Sequence, residues 1–433
     1  MKKVIVIGGG LAGLSAAAFL SDAGLKTEVI EISPKLGGRA YSFTDNNTGD
    51  IIDNGQHIMM GCYTNTLQFL KLINSLGTIK IQDRLSVNFV DRQSGLSVLK
   101  AITKLYPLNL MLGLLCFKSL SQKDRFGILK LFGRLPFVNQ KSVQSLSVED
   151  WLKNGNQSTD AIKRFWEILA VGALNSDITQ ASACVFINIL KKMFLYGNKA
   201  ASIIIPETGL SQMYCPASEK FITERGGLIA LSEQVRSLEV GNGKITKIVT
   251  QKRVISGFDY VISAVAPHSF EKILPDEYKK EFPFEQIRYS SILSAHIWLK
   301  ENRFTEGFYG LIDSPLHWVF NHDRYITVVT SNSGHLLEKG KEELLEIFCC
   351  ELKKYFKFFD ISDVTSYKII KEKRATFIPE ESFLKCRPSV RVRSVKNLFM
   401  AGDWTDTGLP ATIEGAVLSG KNAAREIILL PKA

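Results

Sequence analysis

The first residues whose types and spacing could do chemistry are three glycines and an acid. Gly8, Gly10 and Gly13 form a Gly-x-Gly-x-x-Gly pattern, and Glu31 follows it. In a dinucleotide-binding unit the first glycine permits a tight turn, the second lets the backbone approach a pyrophosphate, and the third lets a helix pack against a strand. An acid after the next strand accepts hydrogen bonds from ribose hydroxyls. The pattern predicts a dinucleotide site.

The surrounding residues predict the elements that such a site needs. Val4–Ile7 is a short β-branched run typical of a buried strand. Leu11–Ala23 is rich in good helix formers, and Gly24 suits a helix C-terminus. Thr27–Ile32 is predicted to form a second strand. In such a βαβ unit, phosphates would bind the free N–H groups at the start of the helix.

A membrane-targeting segment is the alternative interpretation of this region. Lys2 and Lys3 precede an uncharged stretch, Val4–Ser21, which resembles a secretory signal or a spanning helix. The three consecutive glycines and the change from strand to helix periodicity favour the dinucleotide unit instead.

Composition and charge narrow the class of protein. The chain has 433 residues, of which 45% are hydrophobic and 22% charged, as in a globular protein of two or three domains. Its seven cysteines include no Cys-x-x-Cys pair, so we expect no metal site and the reduced thiols of a cytosolic protein. The net charge is +11. Because no nucleic-acid module is present, an anionic membrane surface is the partner that this charge suggests.

The stretch Leu105–Leu135 is the candidate membrane contact. An apolar run is followed by a basic amphipathic sequence, and the run is too short to span a bilayer. We expect it to lie in the interface, which predicts a cytoplasmic protein that is peripheral on the inner face of the cytoplasmic membrane. A pair of helices facing the core remains the alternative, since periodicity does not distinguish the two.

Further motifs extend the dinucleotide pattern. Gly37-Gly38-Arg39 follows the acid, and Asp53-x-Gly55 comes next. In this order they resemble the FAD-binding half of the flavin amine oxidase and phytoene desaturase superfamily, which implies FAD as cofactor. A strand ending at Asp403 and a helix from Ala416 to Ala424 resemble the C-terminal part of the same domain.

The resemblance implies a set of residues that contact FAD. Asp403 would bind the ribityl and pyrophosphate region, and Val235 would cover the adenine. The complete set is Gly8, Gly10, Leu11, Ala12, Gly13, Glu31, Gly38, Arg39, Gly55, Gln56, His57, Val235, Asp403, Thr412, Ile413 and Ala416.

Three motifs narrow the resemblance within the superfamily. DNGQH at 53–57, PLHWVF at 315–320 and MAGDWTDTGLPATIEGAVLSG at 400–420 resemble the hydroxysqualene dehydroxylases of hopanoid biosynthesis. This implies reductive removal of the hydroxyl of hydroxysqualene to give squalene, with reduced FAD as hydride source. It also implies a long-chain isoprenoid substrate and upstream squalene-pathway enzymes as partners.

Removing a hydroxyl requires an acid and an apolar cavity with aromatic faces. His57, directly after the Gly55-Gln56 pair expected to face the flavin, is the candidate for a catalytic polar group near the ring, and hydrogen bonding to flavin or to Asp53 is the alternative. Trp318 and Phe320 are candidates for the cavity lining, although core packing explains them equally well. Glu414 sits at the predicted helix start, where a charge–dipole interaction explains it without catalysis.

Other functions fit the same fold. One is an isoprenoid desaturase or an amine oxidase, although the basic stretch Lys385–Asn397 would repel a cationic amine. Another is a non-enzymatic prenyl-lipid binding protein. The intact Gly8, Gly10, Gly13 and Glu31 argue against this function.

We predict an α/β protein of the amine oxidase type. A discontinuous, Rossmann-like FAD-binding domain comprises residues 1–85, 205–270 and 390–433. A helical segment that faces substrate or membrane covers 86–204, and a mixed β-sheet substrate domain covers 271–389.

Overall fold

The computed structural model describes residues 2–431. The strands, in chain order, are β1 (Lys3–Ile7), β2 (Lys26–Ile30), β3 (Ser42–Thr44), β4 (Ile51–Asp53), β5 (Met59–Met60), β6 (Ile79–Ile81), β7 (Ser86–Asp91), β8 (Gly95–Lys100), β9 (Ile203–Pro206), β10 (Leu228–Ala230), β11 (Val235–Gly241), β12 (Lys244–Thr250), β13 (Val254–Ile255), β14 (Tyr260–Ser263), β15 (Tyr289–Leu299), β16 (Phe308–Leu311), β17 (Trp318–Asn321), β18 (Tyr325–Ser331), β19 (Val364–Phe377) and β20 (Leu398–Met400). The helices are α1 (Leu11–Asp22), α2 (Thr64–Leu72), α3 (Leu108–Leu115), α4 (Gln122–Arg134), α5 (Val148–Asn154), α6 (Thr159–Ala161), α7 (Glu167–Leu174), α8 (Ala183–Phe194), α9 (Asn198–Ala201), α10 (Leu210–Thr223), α11 (Pro267–Ile273), α12 (Asp276–Lys279), α13 (Lys341–Tyr355), α14 (Glu381–Leu384) and α15 (Ile413–Ile428).

A five-stranded parallel sheet, in the order β10-β2-β1-β14-β20, carries the dinucleotide pattern. Its central strand β1 buries Val4, Ile5 and Val6 completely, as expected of a parallel strand covered on both faces. The strands come from three separate parts of the chain, and the predicted discontinuous α/β fold is confirmed. The exact domain boundaries stay predictions.

Helices α1 and α15 pack closely against each other beside this sheet. A Cβ on Gly420 of α15 would lie only 2.1 Å from the carbonyl oxygen of Ala12, so the contact requires glycine. The residues weighed as a signal or spanning segment form β1, the glycine turn and α1. Among residues 2–431, no helix has the length and apolar character needed to cross a membrane.

A seven-stranded mixed sheet, in the order β19-β15-β18-β17-β16-β7-β8, forms the second layer. The prediction of a helical segment from residue 86 is wrong at its start, because 86–100 form the hairpin β7–β8 at the edge of this sheet. Gly95 has a φ of +70° at the turn, and Val87 and Phe89 alternate along β7 with their side chains buried.

The predicted membrane stretch, Leu105–Leu135, falls into two parts that differ in exposure. Helix α4 buries Ile128 and Leu131 in the core, although Phe126 is exposed. For α4 the structure favours the alternative of a core-facing helix, because Ile128 and Leu131 pack on protein, and contact of its exposed Phe126 with lipid stays a prediction. Before and within α3, in contrast, Leu105 and Leu108 are exposed. Contact of this part with lipid stays a prediction.

Candidate functional site

The loop between β1 and α1 has the geometry that a bound diphosphate needs. Gly8 has a φ of +109°, a left-handed conformation that favours glycine. A Cβ on Gly13 would lie 1.9 Å from the carbonyl oxygen of Gly8, so only glycine lets α1 begin this close to the strand. The first turn of α1 contains no acidic residue, and the N–H groups of Leu11 and Ala12 have no intrahelical acceptor. The residues present therefore fit an anionic dinucleotide.

A second glycine pair packs against this loop. Gly37 forms a backbone bridge with Gly10, and its N–H donates to the carbonyl of Gly9 at 3.0 Å. Gly38 has a φ of +59°, and a Cβ there would lie 3.1 Å from the Cα of Gly10. This close approach holds Arg39 beside the dinucleotide loop.

Glu31 lies directly after β2 and is buried. Its Oε2 accepts a hydrogen bond from the N–H of Gly9 at 2.6 Å, and its Oε1 accepts one from Ser33 at 2.8 Å. These bonds orient the carboxylate and leave lone pairs free for ribose hydroxyls. The N–H of Glu233 donates to the carbonyl of Glu31 at 2.9 Å, which brings buried Val235 to the same edge.

Arg39 and Asp403, both predicted to contact FAD, form an ion pair. Nη2 of Arg39 lies 2.6 Å from Oδ1 of Asp403, and Nη1 donates to the carbonyl of Ala375. Asp403 is buried, and its charge is the main cause that raises the pKa of Arg39. The pair connects the glycine loops to the strand β20 that precedes α15.

Helix α15 begins where the resemblance places the flavin ring. Thr412 is its N-cap, and the Thr412 hydroxyl accepts a hydrogen bond from the N–H of Gly415 at 3.1 Å. Ile413 is buried in the first turn, and Ala416 is half-buried one turn later. These residues present a helix N-terminus, which stabilises negative charge on a neighbouring group.

Glu414 lies in the first turn of α15, as the predicted charge–dipole role requires, and its side chain also reaches a second helix. Its buried carboxylate reaches the N-terminus of α2 and accepts hydrogen bonds from Asn65 and Thr66. The position of Glu414 agrees with the predicted charge–dipole role, and the second helix was not predicted because α2 lies nearly the whole chain away in sequence.

Arg387 is a buried residue that the sequence did not single out. Its guanidinium donates to the backbone carbonyls of Asp403 at 2.7 Å and Leu409 at 2.8 Å. Burial lowers its pKa to about 10. The side chain therefore closes the loop that joins Asp403 to Thr412.

The segment Gly55–His57 lies against the second sheet. A Cβ on Gly55 would lie 3.6 Å from Oγ of Ser294 on β15. Nδ1 of His57 lies 2.6 Å from the carbonyl of Gly55, so the neutral ring donates from Nδ1 and keeps Nε2 free. Burial holds the pKa of His57 below its ordinary value.

Asp53 does not hydrogen bond to His57 within the described residues. Its Oδ1 accepts hydrogen bonds from the hydroxyl of Ser42 at 2.7 Å and the N–H of Leu210 at 3.0 Å, and burial raises its pKa. The predicted alternative for His57, a bond to Asp53, is therefore wrong; its carbonyl partner belongs to Gly55.

Trp318 and Phe320 lie on β17, between the second sheet and the helices. The ring of Trp318 is half-buried, with Phe89 at 6.2 Å and Phe308 at 6.3 Å between ring centroids. Phe320 is buried and stacks on Phe308 at 6.0 Å. The structure places Phe320 in an apolar core cluster and Trp318 against that cluster, and their contact with substrate stays a prediction.

The structure thus brings together the glycine loops, Glu31, Arg39, Asp403 and the start of α15. The signals for these residues were local motifs. Arg387 and Ser294 lacked such signals, because their partners are distant in sequence.

Comparison with known proteins agrees with this arrangement. The model of the family "flavin containing amine oxidoreductase" matches residues 11–428. A hydroxysqualene dehydroxylase from Sinorhizobium fredii is 29% identical, over 98% of this chain and 97% of that protein. One from Zymomonas mobilis is 28% identical, over 98% of both chains. A 15-cis-phytoene desaturase from Synechococcus elongatus is 25% identical, over 98% of this chain and 96% of that protein.

A solved structure shares the fold. A crystal structure of an oxidoreductase from Methanosarcina mazei superposes with a TM-score of 0.76 at 20% identity, covering 98% of this chain and 100% of that one. FAD is the cofactor that the glycine loops, Glu31 and the α15 terminus accommodate. The protein is an FAD-dependent oxidoreductase, and the chain belongs to the flavin containing amine oxidoreductase family.

Proposed function

We propose that the protein removes the hydroxyl group of hydroxysqualene reductively and releases squalene. The observation that carries this proposal is the similarity to hydroxysqualene dehydroxylases along 98% of the chain. The reaction takes up two electrons and two protons. The C–O bond breaks, a C–H bond forms in its place, and the oxygen leaves as water.

Reduced FAD, when bound, supplies the hydride. The chain must hold the alcohol in a dry site and protonate its oxygen, because water is a far better leaving group than hydroxide. We assign the proton to Nε2 of His57, since Nδ1 is already engaged with the carbonyl of Gly55. The aromatic rings of Trp318 and Phe320 would stabilise the positive charge that develops on carbon.

An isoprenoid desaturase is the second candidate, supported by the similarity to 15-cis-phytoene desaturase. A desaturase removes hydride from its substrate, whereas a dehydroxylase delivers it. The direction of flavin oxidation in a single turnover therefore separates the two functions.

The test is a single anaerobic turnover. Enzyme whose FAD has been reduced with dithionite is mixed with hydroxysqualene, and flavin absorbance and squalene are followed together. We expect reoxidation of the flavin with one squalene formed per flavin. Two results together would contradict the proposal. The reduced flavin would not be reoxidised by hydroxysqualene, and the oxidised flavin would be reduced by a polyene or an amine.

We further propose that the protein collects this lipid at an anionic membrane surface. Four apolar side chains around α3 are exposed and form what we term the α3 surface: Ile102, Leu105, Leu108 and Met111. No acidic residue occurs between positions 92 and 123, where five basic ones do: Arg92, Lys100, Lys104, Lys118 and Lys123.

A second stretch without acidic residues adjoins this surface. Residues 178–206 contain Lys191, Lys192 and Lys199 but no aspartate or glutamate. Asn198 donates to the carbonyl of Lys104 at 2.9 Å and accepts from Asn109 at 2.6 Å, so the two stretches form one basic, apolar region. This composition matches anionic phospholipid headgroups above acyl chains. Upstream squalene-pathway enzymes would deliver substrate at the same bilayer.

A further inference from the structure

An open groove lies between the edge strand β8 and helix α3. Its volume is about 220 Å³, and its walls are β8 on one side and α3 with the segment after it on the other. Strand β8 ends the seven-stranded sheet, and no other strand within residues 2–431 pairs with its second edge. The groove therefore lies at the margin of the fold, where a ligand can enter from solvent.

Two backbone contacts hold α3 against β8 and fix the shape of the groove. A Cβ at Gly113 would lie only 2.1 Å from the carbonyl oxygen of Lys100, so the helix packs on the strand without an intervening side chain. After the helix, the N–H of Lys118 donates to Oγ of buried Ser97 at 3.2 Å. Because neither contact depends on a long side chain, the two walls keep their separation.

The lining combines an apolar surface with two ammonium groups. Leu96, Val98 and Ile102 contribute the apolar part. Lys100 reaches the groove from β8, and Lys118 reaches it from the opposite wall. In the described part of the chain, no acidic side chain lines the groove, and neither of these exposed lysines forms an ion pair. The uncompensated positive charge favours an anion, and the apolar side chains favour a hydrocarbon next to it.

The groove is separate from the flavin site. Strand β8 lies five positions from β15, the strand that adjoins Gly55, which corresponds to a separation of about 24 Å. The volume of the groove is also below the roughly 300–1,000 Å³ of pockets that enclose a drug-sized ligand. A ligand in this groove is thus not the reacting isoprenoid, and the groove holds only the head of a lipid and the carbons next to it.

The groove continues into the α3 surface. Ile102 belongs to both, and Leu105, Leu108 and Met111 extend the exposed apolar area beyond it. A further cation lies at this end, because Nη1 of Arg84 is 3.4 Å from the carbonyl oxygen of Ile102. A molecule whose anionic head lies between the lysines therefore has an apolar path for its tail along α3.

We propose that the groove binds one anionic phospholipid, with its phosphate between Lys100 and Lys118 and the first carbons of its chains on the apolar lining. This inference rests on the proposed contact with an anionic membrane, and it names the lipid class that the contact selects. A bilayer surface attracts basic residues without a defined site. The groove instead holds a single lipid, which binds even when no bilayer is present.

Cys116 supplies a local readout, because its exposed thiol lines the groove. The FAD-loaded protein is treated with N-ethylmaleimide, and alkylation of each cysteine is followed by mass spectrometry. The probe is dihexanoylphosphatidylglycerol below its critical micelle concentration, so that the lipid is monomeric. We expect saturating lipid to slow the alkylation of Cys116 at least about fivefold. The exposed thiols of Cys350 and Cys386 should be alkylated at an unchanged rate.

The two lysines are tested by the double variant of Lys100→Gln and Lys118→Gln. We expect this variant to lose most of the protection of Cys116, relative to its own rate without lipid. The matched control, Lys71→Gln with Lys80→Gln, removes two exposed lysines outside the groove and should keep full protection. Flavin content and the unfolding midpoint are measured for each variant. If the double variant loses its flavin, Lys100→Gln alone replaces it, with a partial loss of protection expected and full protection counting against the proposal.

Two further ligands separate a lipid from a simple anion. Inorganic phosphate and dihexanoylphosphatidylcholine should protect Cys116 only weakly, because the first has no apolar chain and the second carries no net charge. Equal protection by inorganic phosphate would show a site for the anion alone and overturn the lipid assignment. Protection that persists in the double lysine variant, or its absence in the unmodified protein, would overturn the groove as the binding site.

Failure of this inference is distinguishable from failure of the proposed membrane contact, because the alkylation assay contains no bilayer and requires no turnover. Flotation with anionic vesicles in the absence of Cys116 protection rejects the groove and leaves the α3 surface in place. Protection by the monomeric lipid without flotation rejects the membrane contact and still supports the groove.

Discussion

The carboxylate of Glu414 caps a helix that begins at the other end of the chain, through Thr66. Oε2 of Glu414 accepts hydrogen bonds from the backbone N–H of Thr66 at 2.9 Å and from its hydroxyl at 2.7 Å. Asn65 donates two more bonds to Oε1, at 3.0 and 2.8 Å. One buried carboxylate thus joins the first turns of α2 and α15, and it fixes the helix start at Thr412.

Replacing this carboxylate by an amide should destabilise the protein. The amide nitrogen of Glu414→Gln cannot accept hydrogen bonds, so one pair of donors stays buried without a partner. We expect a loss of about 1–3 kcal/mol in the free energy of unfolding, measured by urea denaturation. Glu338→Gln, at an exposed carboxylate without hydrogen bonds in the described chain, is the control. Equal stability of the two variants would refute the capping role.

Removing the Arg39 charge should weaken FAD binding. Arg39→Met leaves buried Asp403 without its ion-pair partner beside a site for an anionic diphosphate. We expect FAD affinity to fall about tenfold or more, equivalent to ~1.4 kcal/mol, in a fluorescence titration. Arg393→Met, which removes an exposed charge that has no ion-pair partner among residues 2–431, should bind FAD normally. A similar loss of FAD affinity in both variants would show that the net charge of the protein, and not this ion pair, determines the affinity.

The rate of single turnover should rise as the pH falls, if His57 is the acid. Its pKa lies below the ordinary value because the ring is buried, so most of it is neutral at pH 7. Above that pKa the protonated fraction, and with it the rate, should fall about tenfold per pH unit. His57→Asn should retain FAD and lose this dependence, as stopped-flow absorbance would detect. A rate independent of pH in the unmodified enzyme would assign the proton to another group.

Acid should destabilise the protein through a second histidine. Burial lowers the pKa of His296 to about 3, while its Nδ1 lies 2.9 Å from the hydroxyl of Thr327. Because the unfolded chain binds this proton near pH 6.5, the stability contribution is complete above 6.5 and is lost as the pH falls toward 3. Between pH 7 and 5 His296 should account for about 2 kcal/mol of the total loss, and His296→Asn should remove that share, while His317 and His322, whose pKa values burial lowers to about 4, keep theirs. Urea unfolding across this range measures the slope, with exposed His335→Asn as a control that keeps it.

Substitutions on the α3 surface should reduce binding to anionic vesicles. The double variant of Leu105→Gln and Leu108→Gln removes two exposed apolar side chains and leaves every charge in place. We expect the fraction of protein that floats with phosphatidylglycerol vesicles to fall at least severalfold. The unmodified protein and all variants should bind phosphatidylcholine vesicles poorly. Leu429→Gln is the control, because Leu429 and Leu105 are each 66% exposed. Undiminished flotation of the double variant would exclude this surface.

Local signals were sufficient to predict the first βαβ unit. The β-branched run, the three glycines and the terminal glycine predicted β1, α1 and β2 nearly to the residue, because each signal acts within its own element. Gly24 has a φ of +78°, as its position after α1 predicted. The ion pair of Arg39 and Asp403 was not predicted, since no local pattern joins two such distant residues and the resemblance placed each of them only separately at the FAD.

Predictions that depended on distant partners were less successful. The charge of the stretch Lys385–Asn397 was expected to repel a cationic substrate, yet Arg387 is buried and donates to loop carbonyls. Arg391 in the same stretch pairs with Glu426. The hairpin at 86–100 was likewise missed, because its place depends on pairing with β16. Composition gives the charge of a segment, whereas tertiary contacts decide where it faces.

The close packing of Gly420 in α15 against Ala12 in α1 has a consequence for folding during translation. Helix α1 is translated well before α15, the helix that packs on it. A nascent chain therefore has to keep an incomplete nucleotide fold with an uncovered helix until α15 has been translated. We expect cofactor incorporation to follow translation of α15, and chains terminated before α15 to be substrates for chaperones and proteases.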